Sequence, residues 1–168
     1  MTTMAEPKQV DVHRSLRPGD AEAIRELHRR VYVPEYGMND EFVQRVGEGV
    51  EEAVAQGWPE AGGGVWIVEH DAAVRGCLGL TDQGDGQGRL RWFVLEEPLR
   101  GRGLGRQLVS ELLATARPQG FRRLELETFS ALTEAARLYR SVGFRLTWER
   151  PRSDWGAPIV YQHYALQL

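Results

Sequence analysis

The sequence lacks several features that would fix a protein's partners or compartment. Its 168 residues contain one cysteine, Cys77, which excludes an internal disulfide and any metal site built from several cysteines. A formal net charge of −3 argues against a general nucleic-acid-binding protein, because such proteins usually carry a basic excess. No apolar stretch approaches membrane-spanning length, and the first residues lack the apolar segment of a signal peptide. We therefore expect a cytoplasmic protein without a nucleic-acid partner, a membrane partner or a metal.

The composition is that of one globular domain. Hydrophobic residues make up 42% of the chain and charged residues 27%, and the length suffices for a sizeable core. The sequence contains no internal repeat and no linker that would divide it. We expect residues 1–9 to form a flexible N-terminus and residues 10–168 to form a single domain.

Hydrophobic periodicity and turn residues predict seven strands and four helices. Strands are expected where apolar residues alternate or form short runs, at 10–16, 65–69, 74–80, 90–95, 123–128, 144–148 and 160–166. Helices are expected from Asp20 to just before Pro34, from the cap at Asn39 or Asp40 to Gly57, at 103–117 and at 133–142. Two segments are expected to be loops, 32–37 and the glycine-rich 81–88.

The order of these elements predicts the fold class. Strands joined by short turns are antiparallel, whereas the strand–helix–strand unit from residue 90 to residue 128 must be parallel. We therefore predict an α/β (α+β) protein with a mixed, mostly antiparallel sheet of about seven strands and helices on both faces.

The most informative segment is a turn rich in glycine and arginine, Arg100-Gly-Arg-Gly-Leu-Gly-Arg106. It follows the predicted strand 90–95 and opens the predicted helix 103–117. Glycines let a ligand approach the backbone, the first amides of a helix lack internal partners, and the helix dipole adds partial positive charge. Because three arginines add further positive charge, the turn predicts a ligand that carries phosphate.

Two well-known phosphate-binding patterns do not match this turn. A Walker loop needs a lysine followed by serine or threonine, and a dinucleotide fingerprint needs a third glycine where this chain has Arg106. The remaining pattern, Arg100-x-x-Gly103-x-Gly105, resembles motif A of the GCN5-related N-acetyltransferases, the GNAT family. The segment 135–144, AARLYRSVGF, resembles that family's second signature, Ala-x-x-Leu-Tyr-x-x-x-Gly-Phe. The predicted element order also matches the GNAT fold across nearly the whole chain.

A narrower resemblance rests on three short segments, Arg91-Trp-Phe-Val, Thr128-Phe129 and Asp154-Trp155-Gly156. They look like the acetyltransferase domain of bacterial MarR–acetyltransferase fusion proteins. This likeness implies no particular acceptor.

The GNAT resemblance implies acetyl-CoA as the co-substrate. The turn would hold the pyrophosphate, and the preceding strand would offer backbone groups to the pantetheine where the strands of this fold diverge. The cofactor-binding residues implied are Phe93, Val94, Leu95, Arg100, Gly101, Arg102, Gly103, Leu104, Gly105 and Arg106. Members of the family often have asparagine seven residues before the motif's tyrosine, and here Leu132 stands at that position, so one pantetheine contact is lost.

Tyr139 matches the family's general acid. A phenol is protonated at neutral pH and can donate a proton to a departing thiolate. The alternative is a core aromatic residue on the apolar stripe of helix 133–142. Replacing Tyr139 with phenylalanine would separate the two roles.

Four carboxylates are candidates for the general base, and the sequence does not decide between them. Glu127 lies on strand 123–128 and is the first candidate, although it could instead be an exposed residue paired with Arg122 or Arg123. Further candidates are Glu35, Glu96 and Glu97, and positioning alone could supply much of the rate. None of the four histidines has metal-ligand spacing or a supported catalytic role.

The sequence therefore predicts an N-acetyltransferase that transfers acetyl to a primary amine by direct attack in a ternary complex. The alternatives are a non-catalytic acyl-CoA-binding or regulatory module, and an O-acyl or longer-acyl transferase. The acceptor, a small molecule or a peptide, stays open, although four acidic residues would favour a cationic amine: Glu35, Asp40, Glu41 and Glu127. Trp58 and Trp155 could line its pocket, and a homodimer through the C-terminal strand is compatible with the sequence.

Overall fold

The computed structural model describes residues 10–168, so the prediction for residues 1–9 lies outside the described residues. The strands are Asp11–His13 (β1), Gly64–His70 (β2), Ala73–Gly84 (β3), Gln87–Leu95 (β4), Arg123–Phe129 (β5), Arg145–Arg152 (β6) and Ile159–Gln167 (β7). The helices are Asp20–Tyr36 (α1), Asp40–Ala55 (α2), Leu104–Ala116 (α3) and Thr133–Ser141 (α4).

The seven strands form one sheet in the order β1-β2-β3-β4-β5-β7-β6. Only the β4–β5 pair is parallel among the strand pairs of the described chain, and the others are antiparallel. The helix α3 makes the crossover between β4 and β5, as a parallel connection requires. The predicted fold class, a mixed and mostly antiparallel sheet of seven strands, is confirmed.

Two apolar cores lie on opposite faces of the sheet because side chains alternate along each strand. On β2, Val65 and Ile67 join a core with α1 and α2, whereas Trp66 and Val68 join a core with α3 and α4. Helices therefore cover both faces, as predicted.

The loop predicted at residues 32–37 is wrong, because α1 continues through Pro34 to Tyr36. Its last turn is held by tertiary packing, since the rings of Tyr32 and Tyr36 both lie against Phe129 of β5. Gly37 then ends the helix in the left-handed conformation, φ 69°, and donates its N–H to the last turn. Local helix-breaking tendency is overridden here by contacts from a distant strand.

The surface loop predicted at residues 81–88 is also wrong. Strands β3 and β4 run on to a tight hairpin whose two turn residues, Asp85 and Gly86, have φ 55° and 75°. An Asp-Gly pair with two positive φ values is the usual two-residue hairpin turn. The other predicted helices and strands are observed with shifts of a few residues at their ends.

No helix among residues 10–168 is both long and apolar enough to cross a membrane.

Candidate active site

A wedge opens in the sheet between β4 and β5. The two strands pair only through residues 87–89 with 123–125. Beyond that point β4 continues along β3, and β5 continues along β7. Residues 90–95 therefore present a backbone edge to the wedge without a strand partner on that side, at the place where the pantetheine was expected.

A β-bulge lies in β4 at the mouth of the wedge. Arg91 faces Gly79 and Val94 faces Cys77, so β4 has one residue more than β3 over this span. The extra residue is Trp92, whose φ of 53° is left-handed, and the Cys77 thiol donates to its carbonyl at 2.8 Å. Bulges of this kind redirect side chains. Here the bulge turns Arg91 and Trp92 towards α2, while Phe93 faces Gly105 of α3.

Cys77 itself is buried. Burial raises the pKa of its thiol well above the ordinary value, so the group stays protonated at neutral pH. A thiol in that state is a poor nucleophile, and Cys77 serves the structure by anchoring the bulge.

A first cavity, of about 590 Å³, lies between the glycine–arginine turn, β4 and α4. Nine of the ten residues expected to bind the cofactor line it, and the exception is Arg102. The turn is left-handed at Gly101 and Gly103, with φ 73° and 76°, and no side chain caps α3. The first amides of α3 therefore face the cavity without helix partners, which suits the phosphates of acetyl-CoA. We call this cavity the coenzyme side.

The three arginines of the turn have different surroundings. Arg100 forms two hydrogen bonds to the Glu35 carboxylate, at 2.8 and 3.0 Å, and a third to the carbonyl of Leu95 at 2.7 Å. Arg102 is exposed outside the cavity, and Arg106 donates to the hydroxyl of Ser141 at 3.1 Å. Arg100 therefore links α1 to the end of β4. The first backbone amides of α3 and the guanidinium of Arg106 are the groups that could bind phosphate.

A second cavity, of about 650 Å³, lies on the face of the sheet covered by α1 and α2. We call it the acceptor side. The two cavities meet in the wedge, since four residues line both of them: Tyr32, Phe93, Leu132 and Ala135. A passage through the sheet thus connects the glycine turn on one face with the second cavity on the other.

Tyr139 lies on α4 and lines the acceptor side next to that junction. Its ring is 4% exposed and packs against Phe93, Phe144 and Tyr164, with centroids 5.8 to 6.3 Å away. Burial raises the pKa of Tyr139 above its ordinary value, so the phenol is neutral at any physiological pH. The residue is both a core aromatic and a cavity residue, and in this state it can donate a proton but not accept one.

Glu127 also lines the acceptor side and is exposed to it. Its carboxylate accepts a hydrogen bond of 2.5 Å from the hydroxyl of Tyr161 on β7. The pairing with Arg122 or Arg123 considered above is not observed, since Arg123 lies near Glu125 instead, at 3.8 Å. The carboxylate therefore keeps one face open to the cavity.

The other three candidate bases are placed elsewhere. The ion pair with Arg100 lowers the pKa of Glu35, which makes this carboxylate a weaker base. Glu96 accepts hydrogen bonds from Arg30 and Arg75, and neither it nor Glu97 lines either cavity. Of the four carboxylates, only Glu127 lies at the acceptor side.

The walls of the acceptor side are not acidic, contrary to the expectation drawn from Glu35, Asp40, Glu41 and Glu127. Only Glu41 and Glu127 of that set line it, since Asp40 is paired with Arg29 and Glu35 with Arg100. Four arginines that no sequence pattern marked outnumber the three carboxylates of this cavity, Glu41, Glu48 and Glu127. The arginines are Arg45, Arg89, Arg91 and Arg152. They come from α2, β4 and β6, and no local motif marks them as neighbours.

The structure places Trp58 and Trp155, the two tryptophans that could line an acceptor pocket, in different surroundings. Trp155 lines the acceptor side, whereas Trp58 is buried and donates to the carbonyl of Leu80 at 2.8 Å.

His28 lines the cavity as well, although no role was predicted for it. Burial lowers the pKa of His28 to about 4, and its Nδ1 donates to the carbonyl of Ile24, so the ring is neutral and weakly basic.

Within residues 10–168, no group of three or more His, Cys, Asp or Glu side chains is arranged to hold a metal ion.

Comparisons with known proteins point to one family. The model of the acetyltransferase (GNAT) family matches residues 21–144. The Escherichia coli protein YjgM, an uncharacterised N-acetyltransferase, is 32% identical over 139 residues, which cover 81% of this chain and 83% of YjgM. Human N-acetyltransferase 8B is 33% identical over 109 residues, which cover 62% of this chain and 48% of the human protein.

Solved structures share the fold. YncA of Salmonella typhimurium, determined with its cofactor acetyl-CoA, has a TM-score of 0.70 at 22% identity, over 95% of this chain and 94% of YncA. Ribosomal-protein-alanine N-acetyltransferase of Brucella melitensis has a TM-score of 0.70 at 17% identity, over 94% of this chain and 99% of the Brucella protein.

The narrower resemblance to the MarR fusion proteins is not shown by these comparisons and stays a prediction. The family match over most of the chain and the likeness to YjgM show that this protein belongs to the GNAT acetyltransferases, whose shared activity is acetyl transfer from acetyl-CoA.

Proposed function

We propose that this protein acetylates a primary amine by direct attack in a ternary complex, with Tyr139 as general acid and Glu127 as general base. The observation that carries the proposal is the meeting of the two cavities at Tyr32, Phe93, Leu132 and Ala135. A coenzyme on one face and an amine on the other would come together there, so no acetyl-enzyme is needed.

The coenzyme side fits acetyl-CoA in its polarity. Uncapped amides of α3 and the guanidinium of Arg106 lie at the end where phosphates would bind. The open edge of β4 at residues 93–95 lies where pantetheine amides would pair. When bound, acetyl-CoA supplies an acetyl group activated as a thioester.

The acceptor side supplies proton transfer. Glu127 would take a proton from the incoming ammonium, because only the neutral amine is nucleophilic. Tyr139 would donate its phenolic proton to the departing sulfur, and its raised pKa keeps that proton in place until the thiolate forms. Tyr161, which donates to Glu127, would orient the carboxylate.

The test combines binding with turnover. Acetyl-CoA is expected to raise the melting temperature of the wild-type protein, and release of CoA is expected with part of a panel of primary amines. Tyr139→Phe should lower kcat by about 100-fold or more, the usual contribution of a positioned acid, while the thermal shift with acetyl-CoA persists. Tyr164→Phe is the matched control, because Tyr164 is equally buried in the same core but lines neither cavity.

Three results would contradict the proposal. Absence of any thermal shift with acetyl-CoA would remove the coenzyme site, and a shift without CoA release would leave a non-catalytic acyl-CoA-binding module. Faster release with alcohols or longer acyl donors would indicate the O-acyl or longer-acyl alternative. A cytoplasmic location and a homodimer stay predictions.

A further inference from the structure

Four arginines line the acceptor side, and three of them are already paired with carboxylates. Arg45 lies 3.2 Å from Glu52, Arg89 lies 2.9 Å from Glu125, and Arg152 lies 2.6 Å from Asp154. The fourth, Arg91, has neither an ion pair nor a hydrogen bond from its guanidinium within the chain from residue 10 onward. Among the four arginines of this cavity wall, Arg91 is therefore the one without a carboxylate partner in residues 10–168.

The surroundings of Arg91 hold it in place without neutralising it. The guanidinium lies over the Trp92 indole, 4.3 Å from the ring centroid, and against α2, where a Cβ on Gly49 would be 2.7 Å from Nη2. Half-burial lowers the pKa of Arg91, and the nearby charges of Arg89 and Arg45 lower it further. A guanidinium remains protonated under such conditions, so the side chain is a fixed cation facing the cavity.

The β-bulge explains why Arg91 is in this position. Without the extra residue at Trp92, the alternation of β4 would put residues 91 and 92 on opposite faces. The bulge turns both towards α2, so that the indole supports the guanidinium. Arg91 lines the acceptor side and not the coenzyme side, which separates it from the groups that would meet CoA phosphates.

Building on the proposed function, we propose that Arg91 binds a carboxylate of the acceptor, so that the substrates are small amines of the amino-acid type. The planar fork of arginine matches a carboxylate with two parallel hydrogen bonds. Glu127 lies in the same cavity, near enough to act electrostatically on Arg91, and would take the ammonium end. A cavity of about 650 Å³ is the size of small-molecule sites. Arg91 and Glu127 together thus complement a zwitterion.

The experiment compares matched acceptors. Each free amino acid is assayed beside its carboxamide and its decarboxylated amine, with CoA release measured at saturating acetyl-CoA. Wild-type kcat/KM should be about 10- to 100-fold higher for the acid, since a charged hydrogen-bonded pair replaces a neutral one. Arg91→Gln should remove that preference, because kcat/KM for the acid should fall far more than kcat/KM for the two acceptors that lack a carboxylate. Arg91→Lys, which keeps the charge but loses the fork, should retain part of it.

Arg14→Gln is the control, because Arg14 also lies over an indole, 4.2 Å from Trp66, but lines neither cavity. It should keep the wild-type preference. Equal rates for acids and amides in the wild type, or equal losses for both in the two Arg91 variants, would overturn the inference and leave the transferase proposal standing. Release of CoA at background rate with every acceptor, despite acetyl-CoA binding, would overturn both.

Discussion

The two sides of the wedge are built in different ways from the same sheet. The coenzyme side is built largely from one continuous segment, since β4, the glycine turn and α3 follow one another, and α1 and α4 add the other walls. It uses backbone amides and an open strand edge. The acceptor side gathers side chains from α1, α2, β4, β5, α4, β6 and β7. A site made of backbone can be kept while a site made of scattered side chains changes, so one fold can serve many acceptors.

The largest effect expected from a new variant concerns chemistry at the acceptor side. Glu127→Gln should lower kcat/KM for the amine by about 100-fold, because the amide cannot accept the ammonium proton. The KM for acetyl-CoA should not change, since Glu127 does not line the coenzyme side. Steady-state kinetics with both substrates varied measures this. An unchanged kcat/KM at neutral pH would mean that positioning alone suffices.

The bulge offers a way to disturb the acceptor side alone. Gly79→Ala would place a Cβ 2.7 Å from Cε3 of Trp92, so the indole and Arg91 must move. Overpacking of this kind should reduce the free energy of unfolding by about 2 kcal/mol, measured by urea denaturation. Amine turnover should fall while the thermal shift with acetyl-CoA persists. Loss of coenzyme binding together with turnover would show that the two sides are not separable at the bulge.

The coenzyme side can be disturbed through one glycine. Gly103→Ala puts a side chain on a residue with φ 76° at the start of α3, which disfavours the observed turn and should weaken acetyl-CoA binding by about 10-fold. Gly84→Ala is a matched control, since Gly84 has φ 86° and open space around it but lies in the distant β3–β4 hairpin. Isothermal titration with acetyl-CoA should separate the two variants. Equal affinities of the two variants for acetyl-CoA would contradict the proposal that this turn binds the coenzyme.

The smallest effect concerns the ion pair between Glu35 and Arg100, which links α1 to the coenzyme side. Both side chains are more than a third exposed, so Glu35→Gln should change the free energy of unfolding by less than about 1 kcal/mol. The pKa of Glu35 is lowered by Arg100, so the stabilisation is present at neutral pH and is lost as the pH falls through the lowered value. Melting temperatures of the two proteins should therefore converge in acid, and a constant difference would contradict the pairing.

The residues that the sequence motifs marked for the coenzyme lie close together in the structure because they are local in the sequence. The turn, its flanking strand and its helix are adjacent, and nine of the ten residues expected there line one cavity. The acceptor side could not be predicted in the same way. Arg91, Arg152 and Tyr161 lie up to 70 positions apart, and no spacing rule links them. Glu35 was a candidate base, and its pairing with Arg100 was not predicted, because that contact depends on how α1 docks on the sheet.

The sequence by itself determined the order of strands and helices, the parallel unit, the glycine turn before α3 and the place of Tyr139 on α4, because each depends on periodicity, on glycine or on a contiguous motif. Only the tertiary structure decided that α1 passes through Pro34, that β4 carries a bulge at Trp92 and that Arg91 has no carboxylate partner among residues 10–168. These features depend on contacts between residues far apart in the chain, and such contacts produce no local pattern in the sequence. The glycine–arginine turn marks one end of the wedge, and the charges around Arg91 and Glu127 mark the other.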